Sequence, residues 1–121
     1  MTALAATYGL TADQGATFNQ VIVWRDPNNN PVNLIGYTAR MYINDIRTSS
    51  VSSSVIETLT TENGSIVLEP STGSITLTLS AAETSAMPAG KHSYYLELES
   101  DGGEVDRLLA GYFVVRSEVT R

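Results

Sequence analysis

S-I-T-L-T-L-S, Ser74 to Ser80, alternates a bulky apolar residue with a hydroxyl residue at every step. A period of two puts Ile75, Leu77 and Leu79 on one side of an extended chain and Thr76 and Thr78 on the other, as in a strand with one face in a core and one in water. Immediately after it comes the one segment with helix signals. Ser80 stands as a cap with Glu83 three residues on, a capping box over Ala81 to Ala86, and Met87-Pro88-Ala89-Gly90 stops the helix after one to two turns.

Alternation resumes on both sides. Downstream, His92 to Glu99 places Tyr94, Leu96 and Leu98 on one face and Tyr95, Glu97 and Glu99 on the other. Asp101-Gly102-Gly103 turns the chain into Val105 to Val115, where Leu109, Phe113 and Val115 face inward and Gly111 allows a bend or close approach. Upstream, Thr7 to Ala12 is a short strand closed by Asp13-Gln14-Gly15, and Thr17 to Trp24 puts Phe18, Ile22 and Trp24 on one face with Gln20 between them. Asp26-Pro27-Asn28-Asn29-Asn30-Pro31 is a turn, since proline presets φ and asparagine tolerates left-handed backbone. Val32 to Gly36 is an apolar connector, and Tyr37 to Ile43 carries Ala39, Met41 and Ile43 inward, Arg40 and Tyr42 outward. The Ser-rich Asn44 to Ser54 stretch is an exposed loop before a weak strand at Val55 to Leu59. Asn63-Gly64 marks a tight turn before Ser65 to Leu68, and Glu69 to Gly73 is another. About seven to eight short strands with one short helix predict an all-β fold, an antiparallel immunoglobulin-like β-sandwich filling residues 1–121 as a single domain.

Composition fits. The chain has 121 residues, 42% of them hydrophobic and 17% charged, which is globular rather than disordered. It has no cysteine, so disulfides, thiolate metal sites and a cysteine nucleophile are excluded. The net charge of -6 and the pI near 4.5 repel phosphate backbones and anionic lipid, so nucleic acid and membrane are not expected as partners. The N-terminal stretch has no basic region followed by an apolar run, and no run reaches the roughly 18 apolar residues of a membrane span.

Chemical motifs are few. His92, the one histidine, reads as an exposed strand-edge residue, because no G-x-S-x-G elbow surrounds any serine. A zinc site lacks ligands. Asp26 to Asn30 imitates half a calcium loop, but Pro31 stands where glycine is needed and Tyr37 where the bidentate glutamate belongs, so a plain turn is expected. Glu97, Glu99, Glu104 and Asp106 read as a solvated outward face of one hairpin rather than a paired-carboxylate site. Asn63-Gly64-Ser65 matches a glycosylation acceptor but is explained by the turn. Trp24 reads as core. Tyr42 and Tyr95, on outward faces, are the candidate interface aromatics. No cofactor and no catalytic residue is expected.

The order of phrases adds a resemblance. L-T-A-D-Q-G-A-T-F (Leu10 to Phe18), V-W-R-D-P-N-N-N-P-V-N-L-I-G-Y-T-A-R-M-Y-I (Val23 to Ile43), G-S-I-T-L-T-L-S-A-A-E-T (Gly73 to Thr84), M-P-A-G-K-H-S-Y-Y-L-E-L (Met87 to Leu98) and R-L-L-A-G (Arg107 to Gly111) follow one another through nearly the whole chain. As an ordered set they resemble small β-sandwich structural proteins of tailed bacteriophages and prophages, and the docking domains of baseplate and fibre proteins. Gln20 departs from the apolar residue expected there. The resemblance implies a non-enzymatic virion component that docks on tail, baseplate, fibre or capsid subunits as several symmetry-related copies. Tail, baseplate or fibre attachment comes first, capsid cement or decoration second, and a carbohydrate-binding module is the competing class. Contacts are expected at Met1 to Ala6, Asn44 to Ser54 and Ser117 to Arg121, with Leu4, Ile46, Arg47 and Val119 beside Tyr42 and Tyr95 as interface residues.

Overall fold

The computed structural model describes residues 6–45 and 54–117. Nine strands and one helix are found among them: β1 Ala6–Thr7, β2 Leu10–Asp13, β3 Phe18–Val23, β4 Thr38–Asp45, β5 Ser54–Thr60, β6 Ile66–Glu69, β7 Ser74–Leu79, α1 Ala81–Ala86, β8 Gly90–Glu99 and β9 Val105–Arg116. They form two sheets. The larger has the order β1-β9-β8-β4-β5, with β2 also on β9, and the smaller has the order β3-β7-β6.

Alternation explains the layering. In the larger sheet Leu59, Met41, Leu96 and Leu109 stand opposite one another on neighbouring strands, and all four are buried. In the smaller sheet Leu77 lies between Gln20 and Ile66, and Ile75 between Ile22 and Leu68. The inward residues of both sheets make one core, joined by Phe18 of β3 edge-on to Phe113 of β9 with ring centroids 5.2 Å apart. Inward positions read from alternation are filled as expected at Ala39, Met41, Ile43, Ile75, Leu77, Leu79, Leu96, Leu98, Leu109, Phe113 and Val115. Ile22 and Trp24 pack partly buried against this core, Trp24 edge-on to Tyr37. Leu34, in the connector before β4, is buried as well.

The N-terminal strand differs from expectation. Thr7 to Ala12 is not one antiparallel strand but two segments, both parallel to β9: Ala6 opposite Leu109, then Leu10 to Asp13 opposite Phe113 to Arg116. The sheet is therefore mixed. Parallel neighbours need a long connection, and here the rest of the domain supplies it. The break falls at Tyr8-Gly9, where the chain crosses Gly111 so closely that a Cβ there would lie 2.5 Å from the Tyr8 carbonyl oxygen. Tyr94, opposite Gly111, donates its hydroxyl to the same oxygen at 2.7 Å. Burial, with the Tyr8 hydroxyl a lesser cause, pushes the Tyr94 hydroxyl up to about 12.

Short-range signals fix the ends of elements. Ser80 Oγ accepts from Glu83 N and Glu83 Oε1 accepts from Ser80 N, the capping box expected of α1. Thr84, buried on that helix, donates to Ala16 O at 2.9 Å and accepts from Gly15 N at 3.1 Å, so α1 holds the β2–β3 turn. Asp26 Oδ1 accepts from Asn28 N and Asn30 N, and Asn29 takes a φ of 68°, building the turn before Pro31. Asn63-Gly64 is a tight turn, but it carries the chain from β5 in one sheet to β6 in the other rather than closing a hairpin. Asn44, Asp45 and Ser54 belong to strands, not to the predicted loop; residues 46–53 of that loop lie outside the described residues.

Three substitutions test this account. Leu77→Ala leaves a void in the shared core and should cost about 2–5 kcal/mol in urea unfolding, a loss under about 0.5 kcal/mol contradicting the shared core. Gly111→Ala should cost about 1–3 kcal/mol by displacing Tyr8. Gly9→Ala, with nothing within 4 Å of the new carbon, should change stability by less than about 0.5 kcal/mol in the same melts.

Candidate functional site

The outward face of the larger sheet gathers its aromatic and basic residues. Tyr42 of β4 stands opposite Tyr95 of β8, with ring centroids 5.5 Å apart. The Arg107 guanidinium of β9 lies 4.1 Å above the Tyr95 ring centroid, and Lys91 Nζ lies 4.5 Å from that of Tyr112. Arg107 Nε and Nη2 donate to Glu97 Oε2 at 3.2 and 2.9 Å. Arg40 Nε donates to Glu97 Oε1 at 3.1 Å and Arg40 Nη1 to Glu99 Oε1 at 3.0 Å. The bond to Glu99, and then that to Glu97, raises the Arg40 pKa further above its ordinary value. Glu97 thus fixes two guanidinium groups, one of them over an aromatic ring.

This is an unusual concentration for an acidic chain. Four of the seven Lys and Arg residues, Arg40, Lys91, Arg107 and Arg116, and three of the six Tyr residues share one face. Tyrosine and arginine are the residues most enriched at the energetic centres of protein interfaces, because each combines a broad apolar surface with directional hydrogen bonding. Tyr42 and Tyr95, singled out by alternation, are brought together. Tyr112, 53% exposed, belongs with them, and its signal was the phase of its own strand: Phe113 inward requires Tyr112 outward. Leu4, Ile46, Arg47 and Val119 lie outside the described residues.

Two expectations about charged groups are corrected. His92 is not an exposed edge residue but fully buried, because β8 starts at Gly90 and the phase that buries Tyr94, Leu96 and Leu98 buries His92 too. Its Nε2 lies 2.7 Å from Pro88 O, and a carbonyl only accepts, so Nε2 carries the proton. Nδ1 is 3.9 Å from Asp45 Oδ1. Asp106 is likewise buried rather than outward. The β8–β9 register shifts between Leu96 and Glu97, so Glu97 faces Arg107 and Leu98 faces Asp106, while Leu108 and Leu109 are both buried. Glu97 and Glu99 face outward as expected, paired with arginine rather than bare.

A second feature lies at the edge of the smaller sheet. Tyr8, Val21, Ile22, Val23 and Leu109 line an apolar cleft of about 230 Å³ between β3 and the N-terminal strand. Among the described residues no three of His, Cys, Asp and Glu gather to hold a metal ion, and no helix is long and apolar enough to cross a membrane.

Electrostatics generate one prediction. Burial, and to a lesser degree the Glu83 carboxylate, raise the pKa of Glu57 in the folded protein. Between the unfolded and the raised value the folded state binds more protons, so stability is lost as pH rises through that window. Glu57→Gln should therefore raise the melting temperature at pH 7, and the difference should vanish below the ordinary carboxylate range; an unchanged difference across the titration would contradict it.

A scan against models of protein families matches none, and a search of curated proteins finds no significant match.

Proposed function

We propose that this chain is a non-enzymatic structural protein of a tailed-bacteriophage particle, an immunoglobulin-like β-sandwich that docks onto other virion subunits. Tail, baseplate or fibre attachment is the first placement and capsid cement or decoration the second. Two observations support the architecture. The smaller sheet joins the third, seventh and sixth strands, and the larger centres on the last two strands with the fourth beside them, the partition of immunoglobulin domains once the first strand is moved onto the last. The ordered phrases from Leu10 to Gly111 point to the virion family.

The observation that carries the docking role is the Tyr42–Tyr95–Arg107 cluster on one face of the larger sheet. Arg107 is already held by Glu97 and lies over the Tyr95 ring, which in turn packs on Tyr42, so little conformational freedom is lost when a partner covers them. The three tyrosines sit on adjacent strands, which also suits a sugar platform. Against that, Arg107 covers the Tyr95 ring and Lys91 the Tyr112 ring, where a stacked sugar needs a bare one.

Tyr95→Ala tests the role. Loss of a central interface aromatic typically costs about 2 kcal/mol or more, roughly 30-fold in affinity. The variant should melt close to the unaltered chain yet fall well below its copy number on purified particles, counted by quantitative mass spectrometry. Full occupancy by the variant, or absence of the unaltered chain from particles, would overturn the proposal.

A further inference from the structure

Each sheet has two edges, and three of the four carry a guard against pairing with another chain: Asp13 in β2, Glu57 in β5, and Glu69 followed by Pro70 at the end of β6. β3 carries none. Phe18-Asn19-Gln20-Val21-Ile22-Val23 has no charge, no proline and no bulge in its pairing with β7, and among the described residues no strand pairs with its far side. Val21, 52% exposed, and Val23 point outward from it, and the apolar cleft runs beneath it.

We infer that a second copy of this chain occupies this edge, β3 pairing antiparallel with its symmetry mate about a two-fold axis, so that two three-stranded sheets become one of six. Charge selects the occupant. Two copies of net charge -6 repel, and a stable contact between them must lie where neither presents carboxylates. β3 is such a strip, and a two-fold axis supplies its uncharged match automatically. Residues directly opposite in a sheet share a face, so outward residues must meet outward residues. Centring on Val21 does this: Val21 meets its mate, Asn19 meets Val23, and Gln20 meets Ile22. Phe18, committed to Phe113, stays at the end of the seam. Arg25 then meets Thr17, and its own mate lies at the far end of the seam, so no like charges face each other. Gln20, polar at an inward position, gains an amide's worth of hydrogen bonding at the new seam instead of burial in a core. The pairing uses the sheet opposite to the Tyr95 face and does not depend on the docking role proposed above.

The lack of cysteine makes the test clean, since Val21→Cys introduces the sole thiol. In sedimentation across a concentration series the unaltered chain should move towards twice its 13.0 kDa mass. Oxidised Val21→Cys should give a covalent dimer, while Val67→Cys, equally exposed on the same face but on β6, should not. Val21→Lys should abolish the dimer and melt where the unaltered chain melts when diluted to single chains, with no dependence on concentration; if that variant folds poorly, the two cysteine variants decide. An unaltered chain that stays at single-chain mass, a dimer that survives a folded Val21→Lys, or cross-linking of Val67→Cys as ready as that of Val21→Cys would overturn the inference.

Discussion

Phe18 against Phe113 is the contact through which the two sheets act as one body. Phe18 belongs to the edge strand of the smaller sheet and Phe113 to the C-terminal half of the last strand of the larger. Tyr94, edge-on to Phe113 at 6.4 Å, extends the aromatic series and ends in a hydroxyl bonded to the Tyr8 backbone. One line of three rings therefore ties the smaller sheet, the centre of the larger sheet and the N-terminal strand together. A ring buries far more area than an aliphatic side chain, so the line concentrates burial where the layers meet.

Around that line, polar contacts close the corners that burial cannot. Thr84 on the short helix bonds both Gly15 and Ala16, and Gln14 Nε2 bonds Met87 O at 2.7 Å, so the β2–β3 turn and the helix hold each other. Buried backbone groups at turns have no ladder to satisfy them, and side-chain hydroxyls and amides fill the gap. At the far end of β2 the exposed Arg116 pairs with Asp13 and holds its carboxyl below the usual range, first through the hydrogen bond. Being exposed, this pair contributes register more than stability.

Much of this was legible in the chain. Ile75, Leu77 and Leu79 announced β7, Ala39, Met41 and Ile43 announced β4, and Ser80 with Glu83 announced α1, because period and capping are local properties. Tyr42 and Tyr95 were legible as outward residues for the same reason. What stayed hidden was set by distant partners. Alternation cannot tell a strand which sheet to join, so the crossing at Asn63-Gly64 and the parallel seat of Leu10 to Asp13 on β9 were not readable. His92 was lost because turn residues at Met87 to Gly90 mask the strand's early start. Asp106 was lost because one extra residue in β9 inverts the phase before it.

That extra residue has a consequence for how the chain tolerates insertion and deletion. In an unbroken ladder Leu108 would sit opposite Glu97 on the outer face, and Arg107 would point into the core opposite Leu98. The shift instead sends Arg107 out over Tyr95 and Asp106 in. A length change of one residue between Asp106 and Leu109 would therefore exchange hydrocarbon for charge on both sides of the strand at once, although no residue type had been altered. In this segment chain length, rather than side-chain identity, is the parameter under strictest control.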